Sequence, residues 1–358
     1  MSLAVTVLKN SAVLLLFLLF ISCGTKNKEY ANNVFPYSQF PQEKELKGEV
    51  IELDTALFRY PFRIRIEGDK AIVLDLHGSD YYGHLFQYPS FRYLSSFGRR
   101  GDSPLEMLSM ENFRLHNHTL WTLDANKSEL TRLDFSSSGD SLLREETVAL
   151  DEDILRPLDF AIYNDTTFVI PDYSGESRFL KVDCKGKLIE KIGTIPTTNK
   201  KALQEARPAL AQAWRSFLDY NSHNSVLATV TQLGEVVEIY NLKDSTHVIR
   251  VGEYDEPEFK VSDGYGRPTG IMGFSDVQVT DDAIYAVFHG TSFKDIARQS
   301  GRLSDGGKYI YVFSLKGEPL CKYVLDHYIY GIWVDEVTKT IMATDVNNDQ
   351  PILKFSFG

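Results

Sequence analysis

Phe113-Arg114-Leu115-His116-Asn117-His118-Thr119-Leu120-Trp121-Thr122-Leu123-Asp124 is the stretch on which the fold turns. An alternating apolar run breaks at the polar His116-Asn117-His118, resumes over residues 120–124 and is followed by a third run at 130–134. The same order recurs as Phe160-Ala161-Ile162, a turn at Asn164-Asp165, then runs at 168–172 and 179–183. Equivalent turns stand at Asp69, Asn117, Asp165, Asn224 and Asp281, separated by 48, 48, 59 and 57 residues. Glu336 opens a sixth copy, with runs at 340–345 and 352–355.

A unit of ~40 to 50 residues with four short strands is the period of a propeller blade, which buries its faces only against its neighbours. A sandwich would not be expected to repeat one strand-and-turn grammar six times. The expected fold is therefore all-β, a six-bladed β-propeller over residues 45–358. The sixth copy ends at Gly358 after three strands, so the alternating residues 47–54 are expected to supply the fourth and close the ring without an open edge. Residues 198–217 place Ala202, Leu203, Ala206, Leu210, Ala213, Trp214 and Phe217 at helical spacing, predicting a short helical insertion between blades three and four. If exposed, its apolar face around Trp214 would suit docking on another protein. Residues 291–308 are polar and Gly-rich and are expected to be an exposed, mobile loop.

Near the start, Lys9 precedes an apolar run at 12–21 and then Phe20-Ile21-Ser22-Cys23-Gly24. The run is about half of the ~20 residues needed to span a bilayer, which suits a signal h-region. Its end resembles the lipobox of a bacterial lipoprotein, with Phe20 where Leu is more usual. That resemblance implies a signal peptide at 1–22 and a mature chain beginning at a lipidated Cys23, whose several acyl chains would anchor it in a membrane. Residues 23–44, polar and broken by Pro36 and Pro41, read as a flexible tether. No Asp follows Cys23, which by analogy with enteric lipoproteins implies the outer membrane, with the body facing the periplasm.

The net charge is -11, and no basic run extends beyond Arg99-Arg100 and Lys200-Lys201, so nucleic acid is excluded as a partner. Cys184 and Cys321 fall in blades that are not neighbours and are expected to be unpaired thiols.

Phe97-Gly98-Arg99-Arg100-Gly101-Asp102-Ser103-Pro104-Leu105-Glu106, the lipobox, and the turns followed by 120–124 and 168–172 carry a wider resemblance. Over nearly all of its mature length the chain resembles the six-bladed TolB-like or NHL-like propeller lipoproteins of Bacteroidetes. Ser103 replaces the penultimate glycine of that group's interblade segment. The resemblance implies an architecture and a cell-envelope address; it implies no activity, because propellers host unrelated functions.

In a propeller, the links from strand two to strand three and from blade to blade share one face around the channel mouth. That face should carry residues 75–84 with His77 and His84, Arg99 and Arg100, residues 124–129, Arg156, residues 172–178 with Tyr173 and Arg178, Tyr265-Gly266-Arg267, His289 and residues 345–349. Tyr, Arg and His together suit polar recognition. The expected function is a non-catalytic binding or interaction module, a monomer contacting an envelope protein, peptide or glycan through Arg99, Arg100, Tyr173, Arg178, Arg267 and His84, with no cofactor. The alternative is a lactonase-like, Ca²⁺-dependent hydrolase or lyase, for which Asp75, Asp124, Asp172 and Asp345 would offer hard oxygen ligands. Against it, each of these residues ends a second strand, where a short carboxylate caps nearby backbone. Replacing Cys23 with Ser is expected to move the protein from the detergent-rich to the aqueous phase in detergent partitioning; a variant that stays in the detergent phase would place the anchor elsewhere.

Overall fold

The computed structural model describes residues 31–54, 58–298 and 304–358. The signal peptide and Cys23 lie outside the described residues. Six sheets, each with four antiparallel strands at its core and two of them with a fifth, parallel edge strand, follow one another along the chain. Blade 1 runs from strand Pro61–Glu67 to Arg92–Arg99, blade 2 from Met110–His116 to Leu142–Ala149, and blade 3 from Ala161–Asn164 to Leu188–Ile192. Blade 4 runs from Ser216–Asn221 to Thr246–Val251, and blade 5 from Phe274–Val279 to Pro319–Ile329. Blade 6 takes Ile332–Asp335, Thr340–Thr344 and Ile352–Ser356 from the C-terminal end. Its fourth strand is Glu49–Ile51, antiparallel in the register Ile352 to Ile51 and Lys354 to Glu49, so the N-terminal closure is as expected. First strands of successive blades touch, including those of blades 6 and 1, and the ring is complete.

The repeat stacks because each second strand is covered on both sides. In Thr119–Asp124, Leu120 packs into the cluster shared with Leu85 and Phe113, while Trp121 and Leu123 turn to Phe160 and Phe168 of blade 3. The Trp121 and Phe168 rings meet edge-on at 5.0 Å. Alternation thus assigns one residue set to each neighbouring blade. The polar turns on the opposite face interlock as well: His116 Nε2 lies 2.9 Å from Asp165 Oδ1, and Asn221 donates to Asp281 at 2.9 Å.

Two segments depart from expectation. Residues 23–44 are not all tether, because Val34–Pro36 adds parallel to the outer strand of blade 4 and Gln42–Leu46 to that of blade 5. Backbone pairing covers two sheet edges with the N-terminal segment. Residues 293–298, expected as mobile loop, form a short helix, Phe293–Arg298. The insertion between blades 3 and 4 is helical, as α1 (Lys200–Glu205), capped by Asn199, and α2 (Arg207–Ala213), with Pro208 in its first turn where a missing N–H costs nothing. Trp214, at its end, is buried, so no exposed apolar face remains there for docking.

Charged side chains hold the centre of the ring. Arg65 of blade 1 donates to Ile332 O of blade 6 at 2.6 Å, while Asp276 of blade 5 accepts from Ile332 N–H at 2.9 Å. Asp276 also pairs with Arg63 and, at 3.1 Å, with Arg65. The device recurs across the ring: Arg114 of blade 2 donates to Leu218 O of blade 4 at 2.7 Å, and Asp159, before blade 3, accepts from Leu218 N–H at 3.1 Å and from Arg114 at 2.7 Å. Burial works against the Asp276 carboxylate, but Arg63 and Arg65 hold its pKa below the usual range. Asp276→Ala would leave two buried guanidiniums without their carboxylate and is expected to cost about 3–5 kcal/mol in urea unfolding. A loss no larger than that of an exposed Asp→Ala control would remove this pair from the ring's foundations.

Candidate binding site at the channel mouth

The second-strand aspartates have full hydrogen-bond partners. Asp75 accepts from the N–H groups of Arg59, Tyr60 and His77, and Asp124 from those of Leu108, Ser109, Asn126 and Lys127. Asp172 accepts from Ser174 and Ser177, and Asp345 from Asn347 and Asn348. Each carboxylate shapes its own blade's loop, as the capping reading expects. Among the described residues no group of three or more His, Cys, Asp or Glu is placed to hold a metal ion.

The mouth carries a pocket off the central axis, a cavity of about 220 Å³. Leu155 and Arg156 enter it from the blade 2 to 3 link, Tyr173 from a blade 3 loop, Gln212 and Arg215 from the helical insertion, and Tyr265 from the blade 4 to 5 link. The last link is a hairpin, Phe259–Ser262 with Tyr265–Pro268, turned at Asp263-Gly264 with φ of 54° and 81°. Such an Asp-Gly turn is the two-residue hairpin signal. The hairpin is fastened to α2, because Gly266 N–H donates to Gln212 Oε1 at 2.9 Å and a Cβ on Gly266 would stand 2.4 Å from Ala209 O. Arg156 sits at φ 48°, a strained conformation for a residue with a side chain. Arg215 is anchored loosely, 3.6 Å from Glu111.

Of the sequence-predicted contacts, only Tyr173 lines this pocket. Arg267 is exposed on the adjoining hairpin and pairs with Asp263 at 3.3 Å. Arg99 is exposed on the blade 1 to 2 link, 3.5 Å from Glu106, and Arg100 stacks 3.7 Å above the Tyr82 ring while donating to Leu76 O. Two placements are corrected. Arg178 is buried between blades 3 and 4, bound to Glu238 at 2.7 Å and to Ser216 Oγ, because its strand end faces the neighbouring blade. His84 lies not in a mouth loop but inside strand Tyr81–Gln87, 2.8 Å from Ser96 Oγ. Arg215, Gln212 and Tyr265 were absent from the predicted contacts. The Asp-Gly turn was legible as a hairpin signal; its docking on α2 was not.

A closed ring of six four-stranded blades with its irregular links gathered at one mouth defines a six-bladed β-propeller. The chain belongs to the TolB-like 6-blade propeller-like family, whose model matches residues 39–337. Solved structures share the fold at low identity. A member of the DUF4221 family from Bacteroides vulgatus is 10% identical, with 88% of this chain and 96% of that one covered at a TM-score of 0.54. A Bacteroides fragilis protein named as exported is 12% identical, with 90% and 98% covered at 0.52. An auxiliary nutrient binding protein from Bacteroides ovatus is 10% identical, with 84% and 70% covered at 0.52. No curated protein matches the chain by sequence.

His84 and His289 are both pushed down to about 4 by burial, against weaker opposing pulls from Asp75 and Asp305. The unfolded chain, titrating near the ordinary 6.5, therefore takes up protons that the folded chain refuses. Stability conferred by the neutral rings is full above pH 6.5 and is expected to fall between pH 6.5 and 4, by up to about 1.4 kcal/mol per pH unit for each histidine. NMR should find both rings neutral at pH 5.5; titration near 6.5 in the folded protein would contradict their burial.

Proposed function

We propose that the protein is a non-catalytic binding module of the cell envelope that takes a small ligand, or the terminus of a larger one, in the mouth pocket between blades 3, 4 and 5. The supporting observation is that this pocket is walled by two segments that break the blade repeat, α2 with the residues that follow it and the 259–268 hairpin, locked together by the Gly266 to Gln212 bond. A rigid ring bearing variable links is suited to recognition, and its cost of ordering on binding is low. The proposed address follows from residues 1–23: a lipid-anchored monomer on the periplasmic side of the outer membrane. Folds shared with a protein named as exported and with one named as nutrient binding are in keeping with this reading. The partner is an envelope protein, a peptide or a glycan.

The test is capture of ligands from envelope extracts by the mature lipoprotein in detergent, followed by affinity measurement for whatever is retained. Tyr265→Ala, at an exposed position, is expected to weaken binding about tenfold, or 1.4 kcal/mol, without changing the melting temperature. Undiminished affinity would move the site away from this pocket, and chemical conversion of the captured ligand would replace the binding module with an enzyme.

A further inference from the structure

We infer that the mouth pocket selects a ring-bearing monocarboxylate, with Arg156 and Arg215 as its cationic contacts; this rests on the binding reading above. The first argument is charge. The pocket lining contains two guanidinium groups and no carboxylate, in a chain whose net charge is -11. Arg156 is exposed, and no described carboxylate pairs with it. Among the described residues, Arg215 has one carboxylate contact, the long one to Glu111 at 3.6 Å.

The second argument is hydrogen-bond polarity. Gln212 Oε1 is occupied by the Gly266 N–H, which fixes the amide's orientation and leaves its NH₂ as the group available to a ligand. With two guanidiniums, the charged and amide side chains around the cavity therefore offer donors. A ligand rich in acceptors answers them, and a carboxylate matches the planar fork of arginine.

Shape supplies the rest. Leu155, Leu158 and Pro208 form an apolar wall beside the guanidiniums, and Tyr265 presents an exposed ring. A compact phosphate would leave that wall without a partner; a carboxylate attached to a ring covers it. At about 220 Å³ the cavity is smaller than the roughly 300–1,000 Å³ of drug-sized sites, so it holds a single ring. Two sources of that chemistry fit, an acidic sugar and an aromatic acid.

The experiment titrates the mature lipoprotein in detergent, at low and physiological salt, with glucuronate, phenylacetate, their neutral counterparts methyl glucoside and phenylacetamide, and inorganic phosphate. One carboxylate is expected to saturate the protein at about millimolar concentration or tighter, at least about tenfold more tightly than its neutral counterpart and more weakly as salt rises. Which of the two does so identifies the source. Arg156→Gln should remove most of that preference while leaving the melting temperature unchanged. Equal binding of acid and neutral counterpart would overturn the charge inference and leave a mouth-binding module standing. Tighter binding of phosphate would make this a phosphate site. Silence of both carboxylates would also overturn the inference, while the captured envelope ligand and Tyr265→Ala judge the binding reading independently.

Discussion

Two peptide groups clamped at the centre of the ring set the terms for the rest of the molecule. Ile332 of blade 6 is gripped by Arg65 and Asp276, and Leu218 of blade 4 by Arg114 and Asp159. In each case one blade supplies a guanidinium, a second a carboxylate, and a third its backbone carbonyl and N–H. Asp219 adds a bond to Val279 N–H at 2.8 Å, tying blade 4 to blade 5. Inner strands converge where little room is left for water, so any charge there must be paired and hydrogen-bonded. The pairing used here spans non-consecutive blades, so the two halves of the ring are held by the same device.

That solution has a consequence for where recognition can occur. Arg63 lies fully buried with its guanidinium 5.0 Å from the Phe62 ring centre and 5.2 Å from that of Phe217, and Tyr330 packs on Phe62 at 4.8 Å. The axis is occupied by side chains that hold the fold together. The mouth pocket lies off the axis, against the insertion before blade 4 and the hairpin before blade 5. Regular blades supply a rigid base; the two irregular links supply the chemical asymmetry a specific site needs.

The interblade segment at 97–106 shows the same separation of roles. Gly101 sits at φ 153°, a conformation that favours glycine, and the Glu106 carboxylate folds back into the space a Cβ there would take. Glu106 also meets Arg99, and Arg100 is pinned between Tyr82 and Leu76. Arg99 and Arg100 looked like recognition groups in sequence, and each has a partner within the protein.

Blade number, the N-terminal closure and the capping role of the second-strand aspartates were legible in the sequence, because each depends on local alternation or a short-range hydrogen bond repeated in every unit. So was the helical insertion, from the spacing of Ala202, Leu210 and Trp214. Arg63, Arg65, Arg114, Asp159 and Asp276 were not recognised, although charged residues in strands buried on both faces were the available signal. Their roles join residues 45 to 267 positions apart, and nothing local specifies the pairing. The pocket is of the same kind: Arg156, Gln212 and Tyr265 meet only because ring closure brings three links to one rim. Periodicity determines which elements form and in what order; long-range packing of unlike segments decides which side chains share a site, since that geometry belongs to the closed ring and to no single stretch of chain.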